Sequence, residues 1–357
     1  MSGCGSRRVS SCRVLPCLVC VLASRLIACT AAPPAAVPGG TSSGEGMASV
    51  TAPSAAEHAG SVAPPAAVPV KNVSVGMATP GLNYLPHRIA QAMGYYREAG
   101  FDVEIQIMQA NALLAGIAAG GLSFGDSGGS AIRAAASGLP VRLVECHGTR
   151  PFYYIALARG LDRVQDLEGN GLAISAVGSD THVIARDLVR KVGGNPDAVQ
   201  YLALGASDVR FAALESGRVA GAILSIMEGV QALEANLTIV NSADDLPFVC
   251  NLGTVVSDAA IAERPQEIRR FIQAIQRAVD FMKSDRARSA ALLAEWQGIS
   301  PAQAEQAYDL SSVEQSFATD RASAQRAIAY AIAFAQESGL IGPAVQVADV
   351  ADLSLYP

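Results

Sequence analysis

The sequence predicts an α/β protein made of two lobes and a helical C-terminal section. Strand-like and helix-like segments alternate from residue 71 onward, which is typical of a largely parallel sheet covered by helices. The alternation restarts after residues 166–169, and only helix patterns follow residue 257 as far as Ser338. Two lobes in one chain usually hold a ligand between them, so we expect a site in the cleft.

The first lobe opens with alternating strands and helices. The strand over 102–108 is the clearest, because apolar and polar residues alternate there with period two. The helix over 85–99 has apolar residues at helical spacing and should end at Gly100, since glycine favours the position after a helix. Strands are predicted at 71–78, 102–108, 122–124, 141–144 and 153–158, and helices at 85–99, 112–119 and 130–137.

The second lobe repeats this order, and helices follow it. Glycines end two of its helices, at Gly193 and Gly217. Strands are predicted at 172–175, 199–204, 220–224, 237–240 and, after the second lobe, 254–257, with helices at 179–192, 209–216 and 227–235. The C-terminal section has one apolar stripe, formed by Ile268, Phe271, Ile272, Ile275, Val279 and Met282. Ser300 and Gln303 form a capping box with Pro301 at the first helical position.

Composition excludes several classes of protein. Half of the 357 residues are apolar and 16% are charged, which suits a large core and excludes wholesale disorder. No run of 18 uncharged apolar residues lies beyond the first 30 positions, so a polytopic membrane protein is excluded. Residues 1–28 hold four arginines and no acid, which leaves 22 basic against 32 acidic residues in the remainder. That balance argues against a nucleic-acid partner.

The N-terminus predicts export and a lipid anchor. A basic start followed by the apolar residues 14–23 is typical of a signal peptide, predicted over 1–28. Residues 26–29, Leu-Ile-Ala-Cys, resemble a bacterial lipobox, which implies cleavage before Cys29 and lipidation of its thiol. Residues 29–71 are rich in Ala, Pro, Gly and Ser and predict a low-complexity tether. We therefore expect a protein held on the outer side of the cell membrane, with plain secretion as the alternative.

Two cysteines remain in the predicted globular part, Cys146 and Cys250. Four of the others lie in the leader, and Cys29 would carry lipid. Two cysteines do not make a disulfide scaffold, although they can pair in an oxidising compartment. A disulfide and two buried thiols both fit the sequence.

Residues 125–129, Gly-Asp-Ser-Gly-Gly, match the surroundings of a serine nucleophile. Such an enzyme needs a suitably placed histidine, and the chain has four, His58, His87, His147 and His182. A trypsin-like protease needs an all-β fold, whereas His87 lies in an α/β pattern. An α/β hydrolase needs a histidine late in the chain, and none follows His182. Both observations disfavour hydrolysis. The turn is better suited to offering backbone N–H groups and a hydroxyl to a ligand, as is the similar turn at 177–181. The spacing of His, Cys, Asp and Glu predicts no metal site, and no nucleotide-binding glycine motif is present.

Six segments together resemble the solute-binding proteins of ABC importers of the nitrate/sulfonate/taurine and thiamine-pyrimidine types. They are residues 86–104, 120–125, 135–141, 166–169, 213–222 and 263–271. The resemblance implies a two-lobed periplasmic-binding-protein type II fold, a membrane permease and an ATPase as partners, and no enzymatic activity or cofactor. It places the two crossings between lobes near 159–170 and 241–252. Lobe I is then expected at 72–160 and 250–357, with the C-terminal helices, and lobe II at 161–249.

The resemblance also implies a set of ligand-binding residues. They are Asn83, Tyr84, Asn111, Ser127, Gly128, Ser179, Thr181, Met227, Glu228 and Asn251. Tyr84, Tyr153 and Tyr154 can each stack on a flat ring or lie in the core. The candidate loops contain no arginine, and Glu228 would repel an anion. We expect a small heteroaromatic vitamin or precursor, of riboflavin or thiamine-pyrimidine type. A sulfonate, taurine or an aromatic acid is the alternative, and hydrolysis through Ser127 a distant one.

Overall fold

A computed structural model describes residues 70–78, 81–177 and 179–356. The predicted signal peptide, Cys29 and the tether up to residue 69 lie outside the described residues. Within the described ranges, no helix is both long and apolar enough to cross a bilayer.

The described chain contains ten strands, fourteen α-helices and five short 3-10 helices. The strands are β1 (Lys71–Met77), β2 (Phe101–Ile107), β3 (Phe124–Asp126), β4 (Val141–Leu143), β5 (Tyr153–Leu157), β6 (Gly171–Ile174), β7 (Gln200–Ala203), β8 (Gly221–Ser225), β9 (Thr238–Ile239) and β10 (Thr254–Ser257). The helices are α1 (Leu85–Ala92), α2 (Tyr95–Glu98), α3 (Ala110–Ala118), α4 (Gly129–Ala136), α5 (Asp180–Lys191), α6 (Ser207–Glu215), α7 (Ile226–Glu234), α8 (Asp258–Glu263), α9 (Pro265–Ser284), α10 (Arg286–Gln297), α11 (Pro301–Ser311), α12 (Val313–Ser316), α13 (Arg321–Glu337) and α14 (Val347–Val350).

The first sheet has the order β2-β1-β3-β10-β4. Strand β1 runs parallel to β2 and β3, whereas β10 is antiparallel to β3 and β4. Its core is aromatic, because Phe271 of α9 stacks on Phe124 with ring centroids 3.8 Å apart and Phe101 meets both rings edge-on. The α/β prediction for this lobe is confirmed.

The second sheet has the order β7-β6-β8-β5-β9. Strand β6 is parallel to β7 and β8, and β5 is antiparallel to β8 and β9. Residues of β6 and β8 are buried on both faces, so these strands carry near-continuous apolar runs. Each lobe therefore has its own sheet and core.

The first crossing between the lobes lies earlier in the chain than predicted. The strand over 153–157 pairs in the second sheet, so the chain leaves the first sheet after Leu143 and crosses over 144–152 rather than near 159–170. The sequence pattern marks a strand at this position but does not show which sheet it joins. The second crossing runs from 240 to 253, between β9 and β10.

Most other boundaries differ from the prediction by one or two residues, and two of the differences concern the parts of the first lobe near the cavity. The helix predicted over 85–99 is divided into α1 and α2, because Gly94 adopts a left-handed conformation with φ of 76°. The strand predicted at 122–124 is β3, Phe124–Asp126, so Asp126 belongs to the sheet and the Ser127 turn starts directly after it.

The C-terminal helices pack against both lobes. All six residues of the predicted α9 stripe are buried in the first core, and α11 begins with the predicted capping box. Helix α11 also packs on α7 of the second lobe, where Tyr154 Oη donates a 2.6 Å hydrogen bond to the Leu310 carbonyl. Tyr154 is therefore a core residue.

Candidate functional site

A cavity of about 590 Å³ lies between the two lobes. Its walls are loops that follow β1, β3, β7 and β8, so it lies at the carboxyl ends of the parallel strands of both sheets. The volume falls within the range of small-molecule sites, roughly 300–1,000 Å³. The predicted cleft is therefore present.

The first lobe contributes two loops to the cavity. Asn83 and Tyr84 lie on a short 3-10 helix after β1, and Ser127 and Gly128 form the turn between β3 and α4. A Cβ at Gly128 would lie 2.4 Å from the Cys250 carbonyl oxygen, so only glycine lets this turn approach the second crossing. That contact sets Gly128 beside Asn251, which also lines the cavity.

The second lobe contributes the first turns of α6 and α7. Met227 and Glu228 line the cavity at the start of α7, and the Ser225 hydroxyl donates a hydrogen bond to the Glu228 carboxylate. Ser207 Oγ accepts a 3.0 Å hydrogen bond from the Ser225 backbone N–H, which joins the starts of the two helices. Glu228 is thus held in place before any ligand arrives.

Seven of the ten expected ligand-binding residues line this cavity. They are Asn83, Tyr84, Ser127, Gly128, Met227, Glu228 and Asn251. The structure places the other three elsewhere. Asn111 is exposed beside the cavity-lining Ala110. Ser179 and Thr181 join Ser175 in a triangle of mutually hydrogen-bonded hydroxyls, 2.6–3.0 Å apart, at the start of α5.

Several cavity residues escaped the sequence reasoning. They are Ser130, Phe152, Ser207, Asp208, Ser225 and Gln297. Ser207 and Asp208 begin α6 two residues after Gly205, and the sequence Gly-Ala-Ser-Asp at 205–208 resembles the Gly-Ser-Asp at 178–180. That pattern was a usable signal. Gln297 lies at the end of α10, far along the chain, and nothing local marks it.

The cavity combines aromatic rings with neutral polar groups and two carboxylates. Tyr84, Phe152 and Tyr153 supply the rings, and Asp208 and Glu228 the negative charge. Burial, together with the charge of Asp126, raises the pKa of Tyr84 well above its usual value, so its phenol stays protonated. None of the described residues that line the cavity is a lysine or an arginine. The site therefore suits a flat ligand that is neutral or positively charged.

Neither of the two buried histidines near Ser127 is placed to act as its general base. His87 places Nδ1 2.6 Å from Tyr96 Oη and Nε2 2.9 Å from Asp126 Oδ2. His147 places Nδ1 2.9 Å from Glu145 Oε2 and Nε2 3.3 Å from Asp126 Oδ2. Because all four ring nitrogens face other groups, neither imidazole is set to deprotonate Ser127.

His87, Asp126, Glu145 and His147 form a buried cluster directly behind the Ser127 turn. Burial works against charge on His147, but Glu145 and Asp126 outweigh it and raise the pKa of His147 to about 10. Burial likewise opposes charge on Asp126, but the positive charge of His147 and the contact with His87 hold the pKa of Asp126 below its usual value. The two buried carboxylates therefore stabilise the protonated, positively charged form of His147.

Cys146 and Cys250 form a disulfide across a sequence separation of 104 residues, with Cα atoms 6.0 Å apart. One cysteine lies on each crossing, and backbone hydrogen bonds between Gly148 and Leu252 and between Thr149 and Val249 continue the pairing. The two segments that connect the lobes are thus bound to each other beside the cavity.

Comparison with known proteins gives a family match over most of the folded chain. The family model described as NMT1/THI5 like matches residues 82–288. The riboflavin-binding protein RibY of Chloroflexus aurantiacus is 30% identical over 243 residues, covering 64% of this chain and 67% of that protein.

Solved structures show the same fold at low sequence identity. The periplasmic aliphatic sulphonate binding protein SsuA of Escherichia coli is 18% identical with a TM-score of 0.64, covering 79% of this chain and 92% of that one. The alkanesulfonate-binding protein SsuA of Xanthomonas axonopodis pv. citri, bound to MOPS, is 19% identical with a TM-score of 0.60, covering 78% and 97%. The desulfurization enzyme DSZB is 13% identical with a TM-score of 0.58, covering 80% and 97%. These likenesses show the periplasmic-binding-protein fold.

Proposed function

This chain belongs to the NMT1/THI5-like family, and from that premise we propose that it is the solute-binding component of an ABC import system. It captures a small heteroaromatic vitamin or precursor, of riboflavin or thiamine-pyrimidine type, between its lobes and delivers it to a membrane permease driven by an ATPase. The ligand contacts the seven expected residues that line the cavity. Asn111, Ser179 and Thr181 remain part of the proposal as groups that approach the ligand when the lobes close.

The lining of the cavity is the observation that carries this proposal. Tyr84, Phe152 and Tyr153 bring aromatic side chains to the cavity wall, and the serines, asparagines and glutamine offer hydrogen bonds without a cation. The similarity to a protein named for riboflavin binding supports the same choice. A sulfonate is disfavoured at the starts of α6 and α7, because acidic residues occupy the first turns of both helices, whereas the first turn of α4 has no acidic residue.

Export to the outer side of the cell membrane is part of the proposal. A disulfide between Cys146 and Cys250 suits an oxidising compartment. Cys29 is the proposed lipid attachment point, which labelling with palmitate would show in the wild type and not in Cys29→Ser.

A thermal-shift panel tests the ligand class. Riboflavin, a hydroxymethyl aminopyrimidine, an alkanesulfonate, nitrate and benzoate are each added to the purified protein. A ligand at 100 times its dissociation constant stabilises the folded state by about 2.7 kcal/mol, which is readily measured. We expect a shift with riboflavin or the pyrimidine. A shift with the sulfonate alone would keep the import role and overturn the ligand class, and no shift with any compound would count against solute binding.

A fluorescence titration then separates the two heteroaromatic candidates. Stacking on a tyrosine ring quenches flavin emission, so riboflavin bound in this cavity should lose fluorescence with a stoichiometry of one. A thiamine-type pyrimidine that binds the same cavity should restore that emission by competition.

A further inference from the structure

The buried cluster behind the Ser127 turn is not used by the proposed ligand site. Its side chains come from three separate parts of the fold, namely α1 for His87, the end of β3 for Asp126 and the first crossing for Glu145 and His147. Their exposed fractions are 0–1%, and none of the four lines the cavity. Burying this many ionisable groups is costly unless they are fully paired.

Three donor atoms of the cluster converge on one point. His87 Nε2 lies 2.9 Å and His147 Nε2 3.3 Å from Asp126 Oδ2, and the three atoms all lie within 4.8 Å of one another. A tetrahedral zinc ion with bonds of about 2.0–2.1 Å holds its nitrogen and oxygen ligands roughly 3.3 Å apart. The two distances from Asp126 Oδ2 are at or below that spacing, so a small outward movement of the side chains would let them share one ion.

The remaining atoms of the three side chains are already fixed by other groups. His147 Nδ1 faces Glu145 Oε2 at 2.9 Å and His87 Nδ1 faces Tyr96 Oη at 2.6 Å. Asp126 Oδ1 accepts a 2.8 Å hydrogen bond from the Gly253 backbone N–H. Such outer partners orient the ring and leave the second nitrogen toward a metal, as in carboxylate–histidine–zinc arrangements.

Two polar atoms of the cluster lack a hydrogen bond within the described part of the chain, His147 Nε2 and Glu145 Oε1. His147 Nε2 is wholly buried and directed at the point where the donor atoms meet. A buried polar atom that makes no hydrogen bond destabilises the folded state. A zinc ion between the three donors would displace the proton from His147 Nε2, use that nitrogen as a ligand and take over from this proton the balancing of the two buried carboxylates, Asp126 and Glu145.

We propose that His87, Asp126 and His147 supply three of the four ligands of a buried site for one Zn²⁺ ion. Imidazole and carboxylate donors together favour zinc over calcium or magnesium. The ion joins α1, β3 and the first crossing at a single point and holds the Ser127 turn from behind.

Metal analysis of tag-free, full-length protein tests the site. Wild type purified from zinc-supplemented medium, or dialysed against zinc and then against buffer, should hold close to one equivalent by mass spectrometry. His147→Gln and Asp126→Asn should hold less than about a fifth of that amount. His182→Gln is the matched control, because His182 lies on α5 in the other lobe, and it should keep the full equivalent. Wild type with less than a tenth of an equivalent overturns the site, as does stoichiometric zinc that both cluster variants retain.

Cobalt substitution gives a readout that does not depend on the variants folding. Co²⁺ in a tetrahedral site of nitrogen and oxygen ligands gives an intense visible absorption band, and zinc should abolish it at one equivalent. A weak octahedral-type spectrum, or none, would leave the cluster as an ion-pair network and overturn the proposal. Riboflavin titration of the same samples is scored separately, so failure of the metal site and failure of the proposed function are distinguishable.

Discussion

Tyr153 connects the first crossing to the cavity, because β5 begins at this residue and its ring lines the site. Replacing it by alanine should weaken riboflavin binding about tenfold, since aromatic pairs contribute about 0.5–1.5 kcal/mol beyond the area that they bury. Isothermal titration calorimetry measures the change. Tyr330→Ala removes a half-exposed ring of α13 and should leave the affinity unchanged. Equal losses in both variants would exclude a stacking role for Tyr153.

Glu228 is the residue that should decide the charge of the ligand. Two charges about 4 Å apart near a protein surface interact by about 4 kcal/mol, so a fixed carboxylate strongly disfavours a sulfonate. Glu228→Gln keeps the size and removes the charge, and it should raise the affinity for an alkanesulfonate at least tenfold in a calorimetric titration.

The exposed Glu215, at the end of α6, supplies the control for Glu228. Glu215→Gln makes the same change in net charge outside the cavity and should not affect sulfonate affinity. If Glu228→Gln binds sulfonate no better than this control, Glu228 does not set the charge preference.

At the scale of the element, the turn between β3 and α4 depends on a close backbone approach. A methyl group at Gly128 would lie 2.4 Å from backbone atoms of Cys250 and Asn251, which side-chain movement cannot relieve. Gly128→Ala should therefore lower the free energy of unfolding by about 1–3 kcal/mol, as overpacking does, and weaken ligand binding as the turn shifts. Urea denaturation and calorimetry report the two effects.

Gly342→Ala is the comparison for that substitution. Nothing lies within 4 Å of a Cβ built at Gly342, which also does not need a positive φ, so this variant should match wild type in both measurements. Wild-type stability in Gly128→Ala would show that the turn and the second crossing can separate at little cost.

Local patterns predicted most elements but not their tertiary neighbours. The β2 alternation, the α9 stripe and the Ser300 capping box each carry their own physical cause within a few residues, and the structure has all three. The sheet to which β5 belongs depends on pairing with β8 and β9, which no local pattern contains. Glycine-containing turns are local patterns, and they predicted much of the cavity. His87, Asp126 and His147 meet only in the folded chain, so no local pattern could predict their cluster.

At the scale of the whole molecule, the two crossings act as one unit. The Cys146–Cys250 disulfide and the flanking hydrogen bonds bind them together, so the lobes are joined by a single stiff connection rather than by two independent strands. Helix α11 adds a contact from the C-terminal section to α7. We infer that the lobes rotate about this connection when they close on a ligand.

Removing the disulfide should lower stability without changing the fold. The double variant Cys146→Ala/Cys250→Ala should lose about 2–5 kcal/mol of unfolding free energy in urea, because a cross-link over a long loop restricts the unfolded chain. Dithiothreitol should bring wild type to the same value and leave the variant unchanged. A variant as stable as the oxidised protein would show that the disulfide adds nothing to folding.

The position of β10 in the first sheet has a consequence for the order in which the protein is built on the ribosome. Strand β10, Thr254–Ser257, lies between β3 and β4, so the first sheet lacks an inner strand until residue 257 has been synthesised. The second sheet uses only the continuous stretch from Tyr153 to Ile239. The lobe that begins later in the chain therefore completes its sheet first. Strands β3 and β4 lack the strand that lies between them until β10, more than a hundred residues further along the chain, has been synthesised.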